Sequence, residues 1–217
     1  MIPQFYLITP PIDDALAFRA KLEPVLKTGA VDVLLARFTA TNDTELKGPA
    51  QALRAVVQEA GAAMLIDLPA DARLVARLGL DGAHISAPGP KLGEALEALK
   101  PDRIVGIGGL KARHDAMEAG EMDIDYVMFG EPRPDGSLPA LSQTLERAEW
   151  WATIFNVPCV AYAPDLDAVT ALAGTGTEFI ALGPWAFETP DPAETVAEAR
   201  RRAKARENAG TTRASDQ

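Results

Sequence analysis

Eight short apolar runs, each followed by an amphipathic stretch, fill almost the whole of this chain, and no other feature constrains its fold as much. The runs are Phe5–Thr9, Val31–Leu35, Ala63–Ile66, Gly82–Ile85, Arg103–Gly106, Ile124–Phe129, Val157–Ala161 and Glu178–Leu182. Most are unbroken by polar residues, which is the pattern of parallel strands covered on both faces. The stretches between them carry helical spacing. Ile12 to Lys27, for example, has apolar side chains at Leu16, Phe18, Leu22, Val25 and Leu26. Thr44–Ala60, Ala70–Leu78, Lys91–Leu99, Leu110–Ala119, Leu141–Phe155, Asp165–Ala173 and Asp191–Arg206 follow suit, and Asp191-Pro192 supplies a cap residue with proline at the first helical position. An open doubly wound sheet would have fewer strands and a glycine fingerprint after the first, whereas here the first strand runs into Thr9-Pro10-Pro11. The spacing therefore predicts one (β/α)8 TIM barrel over residues 1–206, without an internal linker, followed by a polar, disordered C-terminal tail over 207–217.

A chain of 217 residues, 47% of them hydrophobic, is long enough to bury such a core. Its formal net charge of −10 opposes nucleic acid and anionic membrane as partners. It leaves room for a local phosphate site, which requires only a few amides and a cation. Cys159 is the single cysteine and lies in an apolar run, so the expectation is a buried, inert thiol. With neither a signal-type N-terminus nor an apolar run of spanning length, the expectation is a cytoplasmic protein; assembly into a homo-oligomer stays open.

Barrels of this kind carry their chemistry at the C-terminal ends of the strands, which selects the residues to weigh. Asp67 ends the third run and can hold a magnesium ion facing a diphosphate or simply cap the next helix. His84 ends the fourth and can bind or protonate a substrate or be a structurally satisfied histidine. Arg37 can fork onto a phosphate or pair across the rim. Gly108 lies in Gly106-Ile107-Gly108-Gly109, where the backbone can approach a ligand or merely turn. Glu131 and Arg133 follow the sixth run and Tyr162 the seventh. Gly183 and Trp185 follow the eighth, where barrels of this type often hold phosphate; the alternative is that Trp185 and Phe187 plug the barrel end. Pro184 removes one amide donor from that loop.

Tyr6-Leu7-Ile8-Thr9, Leu80-Asp81-Gly82-Ala83-His84-Ile85, Ile104-Val105-Gly106 and Asp125-Tyr126-Val127-Met128-Phe129-Gly130 occur in an order and spacing that resembles the thiamine phosphate synthase/TenI superfamily, over roughly residues 5 to 200. The resemblance implies the same barrel fold and a small phosphorylated molecule as partner. For the synthases it implies magnesium and the displacement of pyrophosphate from a pyrimidine diphosphate by a thiazole phosphate. For the TenI-like relatives it implies proton transfer on a thiazole, with a histidine as acid/base. On that basis His84 and Arg37 are the catalytic candidates. Arg133, Gly108, Gly183 and Trp185 are the candidates for substrate or phosphate binding, and Asp67 is the candidate for metal.

The chain departs from the synthase pattern around these residues. Arg37 is followed by Phe38-Thr39 rather than by the family's lysine. Asp67 stands where an asparagine–aspartate pair is usual. Ser86-Ala87-Pro88-Gly89 lacks the second metal-binding aspartate, and Gly108 stands in for a serine. Glu131-Pro132-Arg133-Pro134-Asp135-Gly136 replaces a threonine-rich, lysine-bearing loop, and Tyr162-Ala163-Pro164 replaces a glycine pair. The resemblance thus implies a degenerate catalytic set: a barrel that binds a phosphorylated heterocycle of the thiazole phosphate or pyrimidine diphosphate type, or a non-catalytic binding or regulatory barrel derived from that family.

Overall fold

The computed structural model describes residues 2–40, 42–69 and 71–214, with side chains for all of these except Asp43 and 207–214. Eight parallel strands close into one barrel in chain order, β1 Gln4–Ile8, β2 Val33–Ala36, β3 Ala63–Asp67, β4 Gly82–Ile85, β5 Ile104–Ile107, β6 Tyr126–Phe129, β7 Cys159–Ala163 and β8 Phe179–Leu182, with β8 paired to β1. The helices alternate with them: α1 Ala15–Leu26, α2 Asp43–Glu59, α3 Arg73–Arg77, α4 Pro90–Leu99, α5 Arg113–Gly120, α6 Leu141–Ile154, α7 Leu166–Leu172 and α8 Pro192–Ala214. A short 3-10 helix, Pro184–Phe187, sits between β8 and α8.

All eight expected strands are present. Their outward side chains meet the helices in the larger core, which includes Phe5, Leu34, Met64, Val105 and Trp151; the inward ones fill the barrel with Tyr6, Ile8, Leu35, Leu65, Tyr126, Met128, Val160, Tyr162 and Ala181. Cys159 faces the larger core, and burial pushes its thiol up to about 12, which fits the expected inert role. Among the described residues no helix is long and apolar enough to cross a membrane.

Boundaries differ from expectation for local reasons. The first helix starts at Ala15 rather than Ile12, because Ile12 pairs with Phe38 in an isolated parallel bridge and donates its N–H to the Arg37 carbonyl (2.8 Å). Asp14 then caps the helix, accepting from the amides of Leu16 and Ala17, each at 3.0 Å. Asp14→Ala is expected to lower stability by about 1 kcal/mol, read as a shift in the denaturant midpoint at constant slope; no shift would show that the exposed cap is dispensable. The expected start of α3 at Ala70 lies outside the described residues. The helical backbone of α8 continues through Ala214, past the expected boundary at 206, and residues 215–217 lie outside the described ones.

The seam between the first and last strands carries its own fastening. Asp32, just before β2, accepts from the amide of Phe5 and from the Arg200 guanidinium on α8, both at 2.7 Å. The same guanidinium lies 5.6 Å from the centre of the Phe5 ring.

Candidate active site at the barrel mouth

One inward-facing row of the sheet builds the centre of the site. Strand register places Asp67 beside His84, His84 beside Gly106 and Gly106 beside Tyr126. Gly106 has no side chain to contribute, and the Tyr126 ring lies over it: a Cβ at Gly106 would stand 1.9 Å from Tyr126 Cζ. The glycine thereby lets β6 reach β4. The His84 and Tyr126 rings are nearly parallel, 9° between planes with centroids 5.9 Å apart, and Tyr126 Oη is 2.9 Å from His84 Nδ1. Tyr126 Oη is also 2.7 Å from Tyr6 Oη.

Glu131 completes the group from above. Gly130 has φ +89°, a conformation open to glycine, and it turns the chain after β6 so that Glu131 folds back over the mouth. Glu131 Oε2 lies 3.2 Å from His84 Nε2, and the carboxylate rests against Gly108, where a Cβ would meet Oε1 at 2.0 Å. His84 is fully buried and the Glu131 side chain is 8% exposed.

A carboxylate offers only acceptors, so His84 donates through Nε2 to Glu131. Nδ1 is then free to accept from Tyr126, which in turn accepts from Tyr6. Burial, first among the causes, pushes both phenols above their ordinary range, so both remain O–H donors. Every donor in the chain Tyr6–Tyr126–His84–Glu131 thus points toward the mouth.

Arg37 and Asp67 stand beside this network. Thr9, fully buried after β1, accepts the Arg37 amide through Oγ1 at 2.9 Å. Arg37 Nε is 3.4 Å from Asp67 Oδ2. That is within ion-pairing distance, but it is not aligned as a hydrogen bond, since Nε has no hydrogen-bond partner. Burial raises the Asp67 carboxyl above its ordinary value and Arg37 opposes the rise. The rim pairing weighed for Arg37 is therefore realised.

The remaining candidates lie differently. Arg133 is exposed, and its Nη1 turns onto its own loop, donating to Ser137 Oγ (3.1 Å) and the Leu138 carbonyl (3.4 Å). Trp185 donates its indole N–H to the Ala163 carbonyl at 2.8 Å and packs against the barrel interior. Phe187 turns outward onto Phe18 of α1, ring centroids 5.0 Å apart. The face of Gly183 is covered by the Tyr162 hydroxyl, 1.9 Å from where a Cβ would be. Gly106 and Gly108, where a ligand's approach and a mere turn were both open, and Gly183, a candidate for phosphate, each lie against a side chain of this protein. The network partners Tyr6 and Tyr126 were not singled out from sequence as site residues; the signal for Tyr126 was Gly106, an inward-facing glycine on β5 that leaves room for its ring.

A sequence profile of the thiamine monophosphate synthase family matches residues 5–183. The chain belongs to this family. Among its relatives, a thiamine-phosphate synthase of Rhodospirillum centenum is 33% identical over 198 residues, covering 90% of this chain and 95% of the relative. One from Hyphomonas neptunium is 36% identical over 199 residues, covering 85% and 87%. The barrel also resembles the solved thiamine phosphate pyrophosphorylase of Pyrococcus furiosus, with a TM-score of 0.75, 20% identity and coverage of 94% and 96%.

Thiamine-phosphate synthases are expected to work with magnesium. Magnesium takes a near-octahedral shell of oxygens, usually one or two carboxylates plus substrate phosphates and water. Among the described residues no three His, Cys, Asp or Glu are grouped so as to hold a metal ion. The expected ligand, Asp67, has a guanidinium 3.4 Å away, and Glu131 is bonded to His84. These residues do not fit a resident magnesium ion.

Proposed function

We propose that this family member binds a small phosphorylated heterocycle at the barrel mouth and acts on it by moving a proton, not by displacing pyrophosphate. One observation carries the reading: a histidine and a carboxylate are held together, shielded from water, at the strand ends where such barrels do chemistry. Family membership supports the phosphorylated heterocycle, of the thiazole phosphate or pyrimidine diphosphate type. Arg37 stands beside Asp67 at the mouth, and its Nε is buried without a hydrogen-bond partner, so it is the residue assigned to the phosphate. With Arg133 folded onto its own loop and the Trp185 N–H engaged, those two are secondary to Arg37.

A non-catalytic binding barrel is the second reading. It is favoured by the complete burial of His84 with both ring nitrogens already bonded within the protein.

Calorimetric titration with a thiazole phosphate tests the common part of both. Saturable binding is expected, weakened about ten- to a hundredfold by Arg37→Ala, the range for losing a hydrogen bond to a charged group. Absence of binding to the unaltered protein would overturn the proposal.

A further inference from the structure

Within residues 131–140, the loop before α6, Glu131 alone is buried. The rest of the loop bonds to itself. The Arg133 amide donates to the Ser137 carbonyl and the Gly136 amide to the Arg133 carbonyl, both at 2.8 Å. Asp135 accepts from the amide and the hydroxyl of Ser137 at 2.9 and 2.6 Å. Pro132, Pro134 and Pro139 stiffen the segment further. The loop is therefore a compact hairpin that hangs from β6 by Gly130, at φ +89°, and reaches into the barrel with one side chain.

The geometry points to Glu131 as an autoinhibitory plug: its carboxylate is seated on His84 where a ligand would have to be, and it must swing out before anything at the mouth can touch the imidazole. His84 is fully buried, with Nδ1 at 2.9 Å from Tyr126 Oη and Nε2 at 3.2 Å from Glu131 Oε2. Tyr126 belongs to a strand of the barrel wall and Glu131 to the loop, so Glu131 is the partner that can leave. Gly108 forms the seat. A Cβ there would stand 2.0, 2.6 and 2.8 Å from Oε1, Cδ and Oε2, so the carboxylate lies on the bare backbone of β5's end. The protein holds the plug in place with one hydrogen bond at the long end of the usual range. A like charge works against that bond. Burial raises the Asp67 carboxyl, Arg37 opposes the rise, and the charge on Glu131 adds to it, so the two carboxylates repel each other. A seat held by one bond and loaded by repulsion opens at small cost, and a ligand that offers His84 Nε2–H another acceptor replaces the bond that is lost.

Diethyl pyrocarbonate tests the plug without reference to any ligand. It transfers an ethoxycarbonyl group to an unprotonated imidazole nitrogen, releasing ethanol and carbon dioxide. The chain has two histidines, and His114, with a side chain 75% exposed, is the internal standard. Peptide mass spectrometry of the unaltered protein is expected to show His84 reacting at least about tenfold more slowly than His114, as for a group reached only through local opening. In Glu131→Ala nothing demands the Nε2–H, so the tautomer with bare Nε2 can face the mouth, and His84 should approach the rate of His114. Circular dichroism shows that the variant is folded. If it is not, Gly108→Ala takes its place, because its methyl group strikes the seated carboxylate and should expel it with the same gain in reactivity. His84 reacting as fast as His114 in the unaltered protein would overturn the inference. So would a His84 that stays protected in the folded variant, since the barrel wall and not Glu131 would then be its cover. Neither result bears on thiazole phosphate binding, which tests the proposed function by itself.

Discussion

Formation of thiamine phosphate from a pyrimidine diphosphate and a thiazole phosphate is expected to run at least about 10²–10³-fold slower on this chain than on a family synthase, the range for removing a single group that stabilises transition-state charge. The departing pyrophosphate carries several negative charges, and the family pattern meets them with metal and lysines. The family resemblance implies that the positions expected to carry two lysines and one metal-binding aspartate are held here by other residues. The replacements do not restore the charge. The loop after β6 contributes Glu131 to the centre, and its arginine, Arg133, is folded onto Ser137 and Leu138. Arg37 is already beside Asp67. A coupled assay with both substrates and saturating magnesium measures the deficit, and turnover at the rate of a family synthase would show that the carboxylate-bearing mouth does support pyrophosphate release.

The largest effect on folding should come from Gly106→Ala. The added methyl group would fall 1.9 Å from Tyr126 Cζ and 2.1 Å from Cε1. The struck group is a buried ring held by hydrogen bonds to Tyr6 and His84, so either the ring or β5 must move. Overpacking of this kind costs about 1–3 kcal/mol, and breaking the Tyr6–Tyr126–His84 bonds inside the barrel adds about 1–3 kcal/mol for a buried group left unpaired. A loss of about 3 kcal/mol corresponds to a fall in the melting temperature of roughly 6–12 °C for a domain of this size. Gly108→Ala is the informative companion. There the clash is with the far end of the Glu131 side chain, which can rotate away, so stability should change less while the Glu131–His84 bond is lost. Equal melting temperatures for the two variants would show that the Tyr126 ring is not held as described.

These two glycines also show where sequence reasoning reaches and where it stops. The eight strands were legible because burial on both faces leaves unbroken apolar runs. The boundaries slipped where apolar residues serve another purpose. Ile124 is buried and apolar, yet it precedes the paired residues of β6, and β7 runs on through Tyr162 and Ala163, beyond the expected end at Ala161. Asp67, His84 and Arg37 were legible as site candidates because strand ends can be counted. The partners of His84 were not, since Tyr126 and Glu131 are 42 and 47 residues away and only the pairing of β4, β5 and β6 brings them across Gly106 and Gly108. A glycine reports that something approaches closely; the sequence does not say whether that is a ligand or a side chain from the next strand.

The fastening at the seam has a consequence for how the chain comes into being. Because β1 pairs with β8, and Asp32, which holds the Phe5 amide, also holds Arg200 168 positions further along the sequence, the first strand of the barrel waits for the last before its second edge is covered. Throughout that interval the growing protein is an open curved sheet with two unpaired borders, which is the form most exposed to wrong pairing with other chains. Pairing of β8 with β1 ends that period and the latch on α8 holds the closed form, so damage to the latch would appear first as poor yield during synthesis rather than as a defect in the finished barrel.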